Sequence, residues 1–210
     1  MMLFVQEIIQ ATVLLALLSA ATAKQLYDLR KGGRAAPLSF AIWTTVNIVS
    51  VSAQVATQPT PIALLLPVGQ LVSMGLILGF ALRSSHRSAQ VSASQRAAVL
   101  LCLAGLSAWI ILRDPMYAIA GNVVANIAGV LPTWEQAWRH PRTISLGYWL
   151  IEGGTVLVGL LVVVLHAPGH LASLVPQLTG AFICWSILGV RWMRLRPIRP
   201  MADVATDLQT

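Results

Sequence analysis

Seven long apolar stretches, separated by short segments rich in charge, proline or glycine, limit what this chain can fold into. A helix that crosses the hydrocarbon core of a bilayer needs about 20 mostly apolar residues. The positions of the separating segments predict spans at residues 3–23, 38–57, 62–82, 97–112, 116–133, 144–166 and 171–192. We therefore expect an all-α integral membrane protein with seven transmembrane helices.

The composition supports a membrane protein and argues against a soluble enzyme. Charged residues make up only 10% of the 210 residues and hydrophobic residues 57%, whereas a soluble domain carries roughly 25% charged and 45–50% apolar residues. The sequence contains no Ser/His/Asp triad pattern, glycine-rich phosphate loop or zinc signature. We expect no enzymatic activity, no cofactor and no metal.

The basic residues indicate how the chain is oriented in the membrane. All but one of the 14 Lys and Arg residues lie after the first, third, fifth or seventh span, and only Arg113 lies on the other side. Cytoplasmic loops carry an excess of Lys and Arg. This rule predicts an external N-terminus and a cytoplasmic C-terminus in the inner or plasma membrane. It also explains the net charge of +7 without nucleic acid, so the expected partners are the lipid bilayer and a solute.

Sequence patterns recur in the two halves of the chain. Thr-x-x-Gln-x-aromatic occurs twice, 111 residues apart, Ser-x-x-x-Trp twice, 106 apart, and a mid-span proline twice, 109 apart. The matched residues are Thr22, Gln25 and Tyr27 with Thr133, Gln136 and Trp138, Ser39 and Trp43 with Ser145 and Trp149, and Pro67 with Pro176. The pattern predicts two three-helix units at residues 1–93 and 115–196, a linker helix at 94–114 and a cytoplasmic tail at 197–210. One linker helix gives the units the same orientation, a parallel repeat.

This 3+1+3 plan resembles the clan of SWEET and PQ-loop (MtN3-like) transporters. The resemblance is strongest from Leu131-Pro132-Thr133-Trp134 through Pro141 to Ser145 and Trp149. Thr133 stands where the clan's motif has glutamine, and the first unit lacks the proline. The resemblance implies two parallel three-helix bundles and alternating-access movement of a small polar solute, such as a sugar, an amino acid or a nucleoside-like molecule.

Polar residues inside the apolar stretches are the candidates for solute binding, because polar groups at membrane depth are costly. Glu152 follows Trp149 by three residues and Asn47 follows Trp43 by four, so each pair shares a helix face. An indole offers a flat platform for a planar solute. We expect the two pairs to face each other between the units. Glu152 would bind solute or carry a proton, or would serve as a structural hydrogen-bonding group; the tryptophans have the alternative role of interface anchors.

Three further side chains complete the expected site. Asn122 and Asn126 are spaced i, i+4 on one face of the fifth span. In the resembled family a core-helix asparagine of the third helix contacts substrate, and Gln70 lies at comparable depth here. Opposite the asparagines, small residues that include Ala125 and Gly129 predict close helix packing, as Gly75 and Gly79 do in the third span.

Pro67, Pro132 and Pro176 are expected hinges. Each removes a backbone donor inside or at the end of an apolar span and disrupts helical hydrogen bonding. Bends at matched positions would let the units rock; the alternative is a static bend that fits neighbouring helices.

A function without transport remains open at the level of sequence. The alternative is a membrane receptor, a scaffold or an auxiliary subunit of a complex with the same fold, and a homo-oligomer is a further arrangement to test. A transporter predicts a polar cavity at mid-depth, whereas a subunit predicts a dry bundle interior.

Overall fold

The chain folds entirely into helices within the residues that the structure, a computed structural model, describes: 2–32, 36–56, 61–84, 93–113, 115–166 and 171–195. These ranges contain seven α-helices and one short 3₁₀ helix, Pro141–Thr143, and no strand. The α-helices are α1 Met2–Arg30, α2 Pro37–Ala56, α3 Pro61–Ser84, α4 Ala93–Leu112, α5 Pro115–Arg139, α6 Leu146–His166 and α7 Leu171–Leu195. The predicted all-α fold class is confirmed, while the expected tail at 197–210 lies outside the described residues.

The surface of the helices is that of a membrane protein. Within the described part of the chain, four helices are long and apolar enough to cross a bilayer, and the segment Pro37–Ser52 is apolar but shorter. The four spans are Gln6–Arg30, Leu64–Arg83, Leu146–His166 and Ser173–Leu195. Large aliphatic side chains such as Leu100 and Ile111 are 67% and 75% exposed. Exposed aliphatic side chains are stable against lipid tails, because lipid tails are as apolar as leucine.

Two helices extend further than predicted. Helix α1 continues to Arg30 and α5 to Arg139, whereas the apolar pattern predicted ends at residues 23 and 133. Those two predictions were wrong because the end of an apolar stretch is not the end of backbone hydrogen bonding. Ion pairs at i, i+4 support both extensions: Lys24 with Asp28 at 2.5 Å and Glu135 with Arg139 at 3.0 Å.

The helices pack in a regular order. Helix α3 packs against both α1 and α2, and α7 packs against both α5 and α6. Between these groups, α1 packs against α6 and α2 against α5. Helix α4 packs mainly on α5, with a smaller contact to α2. The buried core is formed by side chains of α1, α2, α3, α5, α6 and α7.

A glycine allows α2 and α5 to approach each other closely. A Cβ added at Gly129 would lie 2.7 Å from Trp43 Nε1 and 3.0 Å from Ile42 Cγ2, so no larger residue fits there unchanged. Ala125, one turn earlier, is also buried, which confirms the predicted small-residue contact on α5. The same prediction for Gly75 and Gly79 was wrong, since a Cβ there would meet no other described residue within 4 Å.

We expect Gly129→Ala to destabilise the protein by about 1–3 kcal/mol, because the new methyl group forces the indole of Trp43 out of its position. The matched control is Gly79→Ala, where the methyl group meets open space. Unfolding of the purified proteins in mixed micelles measures the difference. Equal stability of the two variants would contradict the packing of Trp43 on Gly129.

Candidate functional site

The two ends of the helix bundle differ in chemistry. We call one the basic end; it carries Lys24, Arg30, Arg83, Arg139 and Arg191 at or near the ends of α1, α3, α5 and α7. There Arg191 Nε donates to the carbonyl oxygen of Pro141 at 3.1 Å. At the opposite end, His166 Nε2 and Gln10 Oε1 lie 2.7 Å apart and join α6 to α1.

A narrow cavity of about 60 Å³ lies among α2, α3, α5, α6 and α7. The structure brings all seven residues of the predicted site to its wall: Trp43, Asn47, Gln70, Asn122, Asn126, Trp149 and Glu152. Two of the predicted hinge prolines, Pro67 and Pro176, also line it. Pro132 does not; it is buried in α5 nearer the basic end.

Helix α2 supplies one complete polar face of the cavity. Trp43, Asn47, Ser50 and Gln54 follow one another at intervals of four, three and four residues, which places them on one side of a helix. Ser50 and Gln54 were not predicted to line the site, although the same helical spacing identifies both. Gln177, a buried polar residue directly after Pro176, was not predicted either.

Glu152 is the one acidic residue among the described residues that line the cavity, and only 2% of it is exposed. Its Oε1 accepts a hydrogen bond of 3.3 Å from Gln70 Nε2, across from α3 to α6. Within the described part of the chain, Glu152 Oε2 has no hydrogen-bond partner. A buried polar atom without a partner is costly, so a donor that enters the cavity would gain a strong hydrogen bond there.

Hydrogen bonds hold the amide side chains in place but do not use all of their N–H donors. Asn47 Nδ2 donates to the carbonyl oxygen of Trp43 at 2.9 Å, and Asn126 Nδ2 donates to Asn122 Oδ1. Trp43 Nε1 lies 3.4 Å from the carbonyl oxygen of Asn126, which it reaches from α2. A primary amide has two N–H donors, and the bonds of Asn47 and Asn126 each use one of them. The other donor can serve a solute.

Four aromatic rings close the cavity toward the basic end, and we call them the aromatic layer: Phe40, Trp43, Tyr148 and Trp149. The indoles of Trp43 and Trp149 meet edge to face with centroids 5.8 Å apart. Phe40 contacts Trp43 at 5.4 Å and Tyr148 contacts Trp149 at 4.8 Å. All four are buried, so the aromatic layer separates the cavity from the basic end.

Two hydrogen bonds between distant parts of the chain reinforce this closure. Thr133 Oγ1 donates to Ser39 Oγ at 2.9 Å and joins α5 to α2. Ser145 Oγ donates to Asp28 Oδ2 and joins the start of α6 to α1. The two serines are the ones that open the repeated Ser-x-x-x-Trp pattern. The repeated serines therefore both hold the basic end closed.

The cavity has the chemistry of a hydrogen-bonding site rather than a metal site. Its polar groups are amides, a hydroxyl, a carboxyl group and indoles. Across the described residues, no group of three or more His, Cys, Asp or Glu side chains is placed to hold a metal ion. Such a set suits a neutral or zwitterionic solute with several hydroxyl, amide or amino groups.

No protein-family model, no curated protein and no solved structure matches this chain. The resemblance to SWEET and PQ-loop transporters stays a prediction that depends on the residues quoted above.

The contact between Gln70 and Glu152 can be measured by a double-mutant cycle. We expect Gln70→Leu and Glu152→Leu to be coupled by about 0.6 kcal/mol or more, the typical size of a hydrogen bond between membrane helices. The stabilities are measured by unfolding in mixed micelles.

A second cycle serves as the control. Ser39→Ala removes a hydroxyl group that bonds Thr133 instead, so its effect should add to that of Gln70→Leu within about 0.5 kcal/mol. Additivity in both cycles would show that Gln70 and Glu152 do not interact.

Proposed function

We propose that this protein is a SWEET/PQ-loop-like transporter that moves a small polar solute across the membrane by alternating access. The observation that carries the proposal is the cavity, whose wall unites seven polar and aromatic residues chosen from four separate apolar stretches. Glu152 lies six residues, about 9 Å, along α6 from Leu146, and Asn47 lies ten residues, about 15 Å, along α2 from Pro37. With the helix starts taken as the membrane boundary and a hydrocarbon core of about 30 Å, these depths support a cavity well inside the bilayer.

The proposal includes seven spans arranged as two parallel three-helix units joined by α4. The packing of the helices supports this arrangement, because exchanging α1, α2 and α3 for α5, α6 and α7 reproduces the main contacts. The third helix of each unit packs against the other two, and the α1–α6 contact becomes the α5–α2 contact. Together with the positive-inside rule, this predicts that the basic end is cytoplasmic and the N-terminus external.

The cycle we propose begins from the conformation described above. A volume of about 60 Å³ holds a few water molecules, since roughly 15 Å³ of such space admits one. Binding a sugar or an amino acid therefore requires the units to separate at the opposite end. Release at the basic end requires the aromatic layer and the Ser39–Thr133 and Ser145–Asp28 bonds to open. Pro132 directly precedes Thr133, which places this expected hinge beside one of the bonds.

The alternative function, a non-transporting receptor, scaffold or subunit, has less support from the cavity. A subunit whose interior only packs needs no carboxyl group or amide there, because buried polar groups cost free energy without adding packing. Gln54, Gln70, Asn122, Glu152 and Gln177 all line this interior. Their convergence favours solute binding.

Uptake into proteoliposomes tests the proposed transport. We expect time-dependent uptake of at least one radiolabelled solute from a panel of sugars, amino acids and nucleosides, measured with and without a pH gradient. The variant with both Asn47→Ala and Glu152→Ala should lose uptake, because it removes two polar groups from the cavity.

Ser52→Ala is the matched control, since Ser52 is an exposed residue of α2 whose hydroxyl bonds its own helix at Ile48. Its uptake should equal that of the unsubstituted protein. Full uptake by the Asn47→Ala, Glu152→Ala variant would show that the site is elsewhere. No uptake of any solute in the panel would favour the receptor or subunit.

The role of Glu152 can be separated from simple binding. If its carboxyl group carries a proton, Glu152→Gln should abolish accumulation driven by a pH gradient but leave exchange of solute down its own gradient. If the group only binds, the substitution should change affinity by about 1–2 kcal/mol, the contribution of one hydrogen bond, with unchanged pH dependence. Glu7→Gln, at an exposed acidic residue of α1, is the control and should alter neither property.

A further inference from the structure

A second and larger concavity lies on the membrane-facing side of the protein, between α1 and α3. It has a volume of about 500 Å³, and we call it the α1–α3 groove. Its walls are almost entirely leucine, valine, alanine and glycine, with few hydroxyl groups. The lining residues are Leu15, Leu18, Ser19, Thr22, Ala23, Leu26, Leu65, Val68, Gly69, Val72, Ser73 and Leu76. Several of them, including Leu15, Val72 and Leu76, are about half exposed.

The groove exists because the first unit has small residues where the second has aromatic ones. At the repeat offset of 111 residues Ala23 corresponds to Trp134, and at the offset of 109 Ser73 corresponds to Phe182. The rings of Trp134 and Phe182 contact each other with centroids 6.5 Å apart. Trp134 Nε1 also donates to Ser186 Oγ at 2.9 Å. Two aromatic rings thus occupy the equivalent positions on α5 and α7, whereas Ala23 and Ser73 leave the α1–α3 groove open. This comparison rests on the repeat proposed above.

The length of the groove matches one leaflet of a bilayer. From Leu15 to Leu26 the helix rises about 16 Å, and half of a hydrocarbon core of about 30 Å is about 15 Å. A transmembrane helix of a second copy would need a contact surface over most of the full thickness. A single lipid acyl chain needs one leaflet only.

A cation lies where the groove reaches the basic end. One turn beyond Leu26 and Leu76, the same helix faces carry Arg30 and Phe80. The guanidinium carbon of Arg30 lies 5.8 Å from the ring centroid of Phe80, so it bridges α1 and α3 there. Among the described residues Arg30 forms no ion pair with a carboxylate, whereas Lys24 is paired with Asp28. An exposed guanidinium group at the end of an apolar groove suits a phosphate, which it binds through two parallel N–H donors.

We propose that the α1–α3 groove binds an anionic phospholipid of the leaflet at the basic end. One acyl chain lies in the groove against Leu18, Val68 and Val72, and the headgroup phosphate contacts Arg30. The apolar walls accept a chain from any phospholipid. Arg30 favours an anionic headgroup, because the choline cation of phosphatidylcholine offsets the charge of its phosphate. Lys31, the next residue along the chain, adds positive charge at the same depth.

Native mass spectrometry of the purified full chain, titrated with phosphatidylglycerol or phosphatidylcholine, tests the proposal. The protein should retain one phosphatidylglycerol molecule more tightly than phosphatidylcholine. Arg30→Gln should weaken phosphatidylglycerol binding by about fivefold, the effect of one basic residue near an anionic lipid surface. The control Arg142→Gln removes an equal charge from an exposed residue of the 3₁₀ helix and should leave the affinity unchanged.

Filling the groove tests where the acyl chain lies. Ala23→Trp introduces the aromatic residue that the second unit carries, and should abolish tight retention of the lipid. Val72→Phe fills the same groove from α3 at a position that is 58% exposed, and should have the same effect if Ala23→Trp does not fold. Both variants should elute as monodisperse species.

Three results would overturn the proposal. They are unchanged phosphatidylglycerol retention in the variant that fills the groove, equal weakening by Arg142→Gln and Arg30→Gln, and a dimer that dissociates when the groove is filled, which would identify a second copy as the occupant. Lipid retention is measured without any transport assay. A failure of the proposed transport function therefore leaves this test unaffected, and the reverse also holds.

Discussion

A bilayer core offers no water to hydrogen-bond with a polar side chain, and the arrangement of these helices follows from that constraint. Hydroxyl groups solve the problem locally: Thr44, Thr155 and Thr179 each donate to the carbonyl oxygen four residues earlier. Such bonds need no partner helix, so a threonine or serine in a span carries little information about function. Larger amides and a carboxyl group cannot be satisfied in this way alone. Glu152 needs Gln70 of another helix, and the helices must therefore enclose a shared polar interior.

The closure at the basic end is made of many weak contacts rather than one strong one. Edge-to-face ring contacts are worth about 0.5–1.5 kcal/mol each beyond their burial, and hydrogen bonds between membrane helices average about 0.6 kcal/mol. The aromatic layer and the bonds of Ser39 and Ser145 are of these two kinds. A closure of this type would permit the opening that the proposed transport cycle requires. A buried ion pair would resist opening more strongly, because separating its partners leaves uncompensated charge in a low dielectric.

In the repeat that we propose, the two units have similar helix contacts but carry different side chains at matched positions. At the offset of 106 residues that matches Trp43 with Trp149, Asn47 corresponds to Gly153, while Glu152 corresponds to Val46. Positions three and four residues after the tryptophan both return to the same helix face. The cavity therefore receives a neutral amide from α2 and an acid from α6. In the same proposed repeat, Ala23 corresponds to Trp134, and the smaller residue leaves the α1–α3 groove open.

Local pattern in the sequence was sufficient for the class of the protein and for much of the candidate site. Apolar stretches predicted helices within four residues at most of their ends, and isolated polar residues such as Asn47 and Glu152 were visible because lipid makes them costly. The wrongly predicted ends of α1 and α5 also have a local cause. Ion pairs along their polar ends extend these helices beyond the point where the apolar stretch ends.

Contacts between distant residues were decided by the tertiary structure. Gln70 and Glu152 are 82 residues apart, and Asp28 and Ser145 are 117 apart, so no periodicity of a single helix relates them. The same holds for Gly129, which packs on Trp43, and for Gly79, which faces no other described residue. In the sequence, Gly129 and Gly79 are both small residues in an apolar helix, and only the position of the neighbouring helix distinguishes them. Helix-forming signals act over one or two turns, whereas a cavity or groove is formed by the space that several helices leave between them.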